Sequence, residues 1–368
     1  MKLYSFSVLF LLVIALTAGA YFTFDKFITS STDNENNKYL SVGPKFGFYS
    51  TIWTVRAKRF NDLIRLADET EINAIVIDVK DGEVYIDDYL KSLVAELHKK
   101  NIYAIARIIV FQDSSQIKNH PEWYFKKEDG SLWQDNRSWY WLNPSNRETW
   151  DYNVEIAKET IDAGFDEINF DYIRFPAFAK DDDVIISVNG ATVLKNRVIN
   201  DFVVYLTSEL RKYDLEVALS VDLFAYNMID GSDLGVGQVF LELYDYFDYV
   251  SPMIYPSHYI TGNFGFENPA EHPYEVIFGT LEKGKAQLWE KSAAEVGTTT
   301  PAMVNPVFEK RLKKLRPWLQ DFNIGAVYNG DMIRKEKQAV YDAGLTSGWL
   351  LWNPRNVYTE GALDLDKE

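Results

Sequence analysis

Two aspartates stand where a folded chain has little reason to put them unless they do chemistry. Asp171 closes the run FDEINFDYIRFP and Asp222 closes EVALSVDLFAYN, each where a strand turns into its loop. Aspartate disfavours strands and its charge is costly to bury, so both positions ask for a reason. A pair of neighbouring carboxylates is the minimum equipment for splitting a glycosidic bond. One gives a proton to the leaving oxygen while the other attacks the sugar or activates water. Two other readings use the same residues. Ion pairs with Arg174 or Arg107 would make the aspartates fasteners of the surrounding loops, and Asp78, Asp81 and Asp171 together would suit a carboxylate-metal hydrolase.

Further polar and aromatic residues fall at comparable places. Alternation in the first run puts Glu167, Asn169 and Asp171 on one face. Asp78 and Lys80 in VIDVKDGEV are candidates for sugar hydroxyls or for holding neighbouring strands. Trp318, Gln320 and Asp321 in RPWLQDF offer a third carboxylate, although Asp321 has the wrong parity to share a face with the other two. Tyr255 and His258 in SPMIYPSHY, and Trp352 in GWLLWNP, are placed to line the same mouth. The segment PEWYFKKEDGSLWQDNRSWYWLNP is unusually aromatic, and Trp133 and Trp141 within it are candidates to stack on pyranose rings. The alternative for these rings is a small hydrophobic cluster that pins the loop.

Such residues must be positioned by regular elements. β-rich runs at 46–51, 74–79, 104–110, 167–173, 216–223, 249–255, 314–320 and 348–353 alternate with amphipathic helical stretches. Eight such units over about 320 residues predict an α/β fold, a (β/α)8 TIM barrel, rather than a doubly wound sheet, since no glycine-rich phosphate loop follows the first strand. The long connections, 113–146, 177–196 and 256–274, follow strands three, four and six and so emerge on the face where barrels hold their sites. An Asn-Gly pair inside VIISVNGATV predicts a hairpin in the second of these.

The bulk composition narrows the partners. The chain has 368 residues and a net charge of −16, which repels nucleic acid and suits a neutral substrate such as carbohydrate. Without cysteine there is no disulfide or thiolate site, and the four histidines form no metal-binding pattern; no metal and no cofactor is expected. Lys2 precedes an apolar run from Leu3 to Phe24, long enough to cross a bilayer. Residues 1–28 therefore read as a signal anchor in the cytoplasmic membrane, or as a signal peptide if cleaved near Ala20. Residues 29–42 are a polar linker, and 43–368 are the barrel, which the charge bias puts outside the cytoplasm.

The runs NAIVIDVKD, YAIARIIVF, WDYNVEIAKE, GFDEINFDYIRFP, YVSPMIYPSHY, NPAEHPYEV, RPWLQDF and GWLLWNP, in this order, resemble a bacterial glycosyl hydrolase domain family long catalogued as a domain of unknown function. The resemblance spans about 43–359 and implies a barrel related to the amylase-like glycosidases. Those enzymes are similar in carrying a nucleophilic aspartate after strand four and a second carboxylate after strand five, the places of Asp171 and Asp222. This sequence departs from them in having Asp rather than Glu on strand five, and Asn169 where an arginine would stand. Which aspartate is acid and which nucleophile is therefore open. A non-catalytic, surface-tethered glycan-binding barrel is the rival reading. Two short side chains on adjacent strands favour a carboxyl separation near the retaining range of about 5–5.5 Å over the inverting range of about 6.5–9.5 Å.

Overall fold

The computed structural model describes residues 43–179, 187–188, 191–192, 194–297 and 305–365, so the apolar run and the linker lie outside the described residues. Among the described residues no helix is long and apolar enough to cross a membrane.

The expected strands form as β1 (Lys45–Ser50), β2 (Ala74–Asp81), β3 (Tyr103–Ile109), β4 (Glu167–Asp171), β5 (Ala218–Phe224), β6 (Tyr249–Met253), β7 (Trp318–Gln320) and β8 (Gly348–Trp352). Every neighbouring pair is parallel, and β1 hydrogen-bonds to both β2 and β8, which closes the sheet into a (β/α)8 barrel. The intervening helices are α1 (Ile52–Val55), α2 (Phe60–Glu69), α3 (Asp88–Lys99), α4 (Arg147–Asp162), α5 (Lys195–Tyr213), α6 (Asn227–Asp230), α7 (Phe240–Leu243), α8 (Pro273–Val296), α9 (Pro306–Leu312) and α10 (Gly330–Asp342). Their starts are written locally: Asp87, Asn146 and Asn329 each accept a backbone N–H from the first turn of α3, α4 and α10. The Asn-Gly hairpin is present as Ser187–Val188 paired antiparallel with Ala191–Thr192.

Differences from the expected boundaries have physical causes. β5 starts at Ala218 rather than 216, because Asp214 accepts the N–H groups of Glu216 and Val217 (2.6 and 3.1 Å) and bends the chain there. β7 keeps only three residues, since Pro317 has no N–H to give the ladder; upstream of it Leu315 makes an isolated bridge to Val250. β4 ends at Asp171 because Tyr172 takes a left-handed conformation, φ 56°.

One core lies between strands and helices; a second fills the barrel with Tyr49, Val76, Tyr103, Ile105, Tyr255, Trp318 and Leu350. Its floor is a fully buried ion pair of Glu167 with Arg316, whose guanidinium lies 4.3 Å over the Tyr249 ring. Glu167 thus points inward, which fixes Asn169 and Asp171 inward above it.

Candidate active site

At the mouth end of the barrel the chain buries one arginine against three aspartates. Arg107 of β3 sits opposite Asp78 on β2 and Asn169 on β4, and Asp171 sits opposite Ile109. Its Nη1 donates to Asp78 Oδ1 (2.7 Å), while Nη2 and Nε donate to Asp171 Oδ2 (2.5 and 3.2 Å). Nε also lies 3.9 Å from Asp222 Oδ2 on β5. The planar fork of a guanidinium suits such divided duty. Aromatic rings support the guanidinium, 5.1 Å from Trp352 and 5.6 Å from Tyr49, which stack on each other at 3.9 Å.

One positive charge cannot balance three buried negative ones, so the carboxyls must differ. Asp171 accepts three hydrogen bonds, from Arg107 Nε and Nη2 on Oδ2 and from the Tyr172 N–H at 2.6 Å on Oδ1. Asp222, 1% exposed, is pushed up to about 8 by burial and then by the charge of Asp171. Asp78, which accepts a short hydrogen bond from the Tyr49 hydroxyl, is raised to about 6, again by burial. Asp222 Oδ1 accepts from Trp318 Nε1 (2.8 Å) and Asn169 Nδ2 (2.9 Å), so its proton belongs on Oδ2, the oxygen facing Arg107. Because Nε is 3.2 Å from one aspartate and 3.9 Å from the other, their nearest oxygens lie no more than about 7 Å apart. That bound takes in the retaining spacing of about 5–5.5 Å and only the start of the inverting range.

The structure brings together Asp78, Arg107, Asn169, Asp171, Asp222, Trp318 and Trp352. Tyr255 belongs beside them: it is buried among the barrel aromatics, and its hydroxyl is held up by burial and by the charges of Asp222 and Asp171. Other candidates lie elsewhere. A shift of register between Asp78 and Lys80 turns Lys80 away into a buried ion pair with Asp113 (2.8 Å), over the Tyr152 ring of α4. Asp321 accepts from the Thr359 N–H and hydroxyl, both at 2.8 Å. Gln320 is buried, accepting from the Ser257 N–H and donating to the Phe322 carbonyl. Arg174 stacks over Trp141, Tyr172 and Phe224 and makes no ion pair with Asp171. His258 is exposed on the rim beside Ser257.

Trp133 and Trp141 correct the expectation of a stacking surface. Trp133 is buried against Phe125 and Phe178, and Trp141 is buried with its N–H on Asp135 (3.0 Å), so these rings pin the loop instead of facing solvent. Asp81, from the metal reading, is exposed while Asp78 and Asp171 share Arg107; among the described residues no group of three or more potential ligands is set to hold a metal ion. Tyr49 was not singled out by its sequence position. Its signal is a polar-ended ring one residue before the mouth end of β1.

A closed (β/α)8 barrel with carboxylates gathered at the C-terminal ends of β4 and β5 is the architecture of many glycosidases. Residues 47–358 match the family described as "Putative glycosyl hydrolase domain", and the chain belongs to that family. Among solved structures, a hypothetical protein from Ruminiclostridium thermocellum is 35% identical, over 48% of this chain and 96% of its own, with a TM-score of 0.42. An α-galactosidase from Lactobacillus brevis (10% identity, TM-score 0.51) and a GH36 α-galactosidase from Geobacillus stearothermophilus (8%, TM-score 0.51) each match 87% of this chain. The chain spans only 39% and 40% of their lengths, and at these identities the likeness is one of fold. No curated protein matches the sequence significantly.

Proposed function

We propose that the protein hydrolyses glycosidic bonds of an extracytoplasmic poly- or oligosaccharide, with Asp171 as nucleophile or base and Asp222 as acid. The observation that carries this reading is the unlike surroundings of the two carboxyls: Asp171 accepts hydrogen bonds from Arg107 and from the Tyr172 N–H, whereas Asp222, about 7 Å away or less, is pushed up to about 8 by burial. Asp222 would protonate the leaving oxygen, and Asp171 would attack the anomeric carbon or activate water. Asp78 and Tyr49 hold the far side of Arg107 and so act by positioning it. No metal takes part in this scheme.

Asp171→Asn removes the negative charge while keeping the shape. Turnover should fall by about a thousandfold or more with glycan binding retained. Full activity in that variant would sink the assignment. The burial of both aspartates, 5% and 1% exposed, favours the rival reading of a non-catalytic glycan-binding barrel. Binding without turnover by the intact protein across a broad polysaccharide panel would decide for it.

A further inference from the structure

Trp133 and Trp141 of the β3 loop are buried and Trp139 is 43% exposed, but the first connection holds out a larger ring surface on which a sugar can lie. We infer that Trp53, backed by Tyr85, is a stacking platform for a pyranosyl unit of the substrate at the edge of the site. The inference rests on the glycosidase reading above and names a binding residue for it.

Trp53 lies in α1, directly after the C-terminal end of β1. In that turn Ile52, Thr54 and Val55 are buried, while Trp53 is 67% exposed, the most exposed tryptophan among the described residues. The turn is tied on several sides. Thr51 Oγ1 caps the Thr54 N–H (3.2 Å), and the Thr51 N–H donates to Asn356 (3.0 Å) in the loop after β8. The Tyr89 hydroxyl donates to the Val55 carbonyl (2.9 Å), and Arg56 binds Asp87 (2.7 Å) and the Tyr85 carbonyl (3.3 Å). A large apolar ring held out to water on so fixed a turn is pre-organised for a ligand, because little side-chain or loop ordering is left to oppose binding. Tyr85 meets it edge-on at 5.6 Å. The platform is joined to the acidic cluster through β2: the Tyr85 N–H donates to the carbonyl of Val79 (2.9 Å), the residue next to Asp78, and Asp78 is itself bound to Arg107. The C–H face of a pyranose suits an exposed indole, and the hydroxyls at its rim would meet Arg56, Asp87 and the Tyr85 hydroxyl.

The test compares Trp53→Ala and Trp53→Phe in the full chain, as wild type for turnover and in the Asp171→Asn background for binding of cell-wall and exopolysaccharide oligosaccharides. The platform predicts roughly a tenfold weaker affinity for Trp53→Ala, matched by a rise in KM with kcat retained, and near-complete rescue by Trp53→Phe. Since the side chain is exposed, the thermal transition should not move. Unchanged affinity and KM in Trp53→Ala overturn the platform while leaving the aspartates untouched. Turnover retained by Asp171→Asn overturns the aspartate assignment, and the Trp53 comparison is then still read from KM. A change confined to self-association in Trp53→Ala would assign the ring to a second copy of the chain and overturn the platform.

Discussion

The proton on Asp222 gives the residue scale its sharpest consequence. Its folded carboxyl is pushed up to about 8, against about 3.9 for an ordinary aspartate, by burial and by Asp171. A general acid must carry its proton, so kcat/KM should fall as pH rises through about 8. The same group makes stability depend on pH. Its folded value is raised, so its contribution is complete below about pH 4 and is lost progressively as pH rises toward 8, because the unfolded chain binds fewer protons over that window. Asp222→Asn should abolish the acid's part in catalysis and flatten the fall in melting temperature between pH 4 and 8. A variant whose melting curve keeps the wild-type slope would show that Asp222 is already ionised in the folded protein. The aspartates themselves were legible in the sequence, since a carboxylate ending an apolar run is conspicuous. The raised pKa of Asp222 was not: it depends on burial and on the charge of Asp171, a neighbour brought close by sheet register across β4 and β5 rather than by any local spacing.

At the scale of elements, alternation predicted all eight strands, because each strand carries its own apolar run and its own punctuation. What it could not supply were side-chain directions where a strand is irregular. Lys80 illustrates this: strict alternation from Asp78 would keep it on the inner face, and the register shift between them instead sends it to Asp113 at the start of the long loop after β3. The aromatic loop failed for a related reason, since composition marks Trp133 and Trp141 as unusual but not which side of them meets water. The Lys80–Asp113 pair ties β2 to that loop with both side chains fully buried, and Lys80 also donates to the Ile109 and Val110 carbonyls (2.5 and 3.1 Å). Removing one partner strands a buried charge, so Lys80→Met should cost about 3–5 kcal/mol in urea unfolding. The double variant Lys80→Met with Asp113→Leu should recover much of the loss, because the orphaned carboxylate disappears with its partner. A single substitution that costs under about 1 kcal/mol would show that water reaches the pair and that it does not secure the loop.

The whole molecule joins an acidic barrel to an apolar N-terminal run, and these two parts make opposite demands of a membrane. A net charge of −16 is repelled by anionic lipid headgroups, so the barrel has no electrostatic means of holding itself to a bilayer. Any stable attachment must then reside in the run from Leu3 to Phe24, whose length suits a span and whose only flanking charge at the start is Lys2. The described barrel begins its first strand at Lys45, on the face opposite the mouth, where it lies 4.9 Å over the Tyr103 ring. We therefore expect a protein lacking residues 1–28 to be soluble and to retain the glycan turnover of the full chain, while the full chain sediments with membranes and withstands washing at high salt, which screens charge but not burial in lipid. Mass spectrometry of the mature protein separates an anchor from a leader: retention of the apolar run means an anchor, and a new N-terminus near Ala20 or Tyr21 means a secreted barrel. A full chain released by salt alone would overturn both the span and the argument from charge.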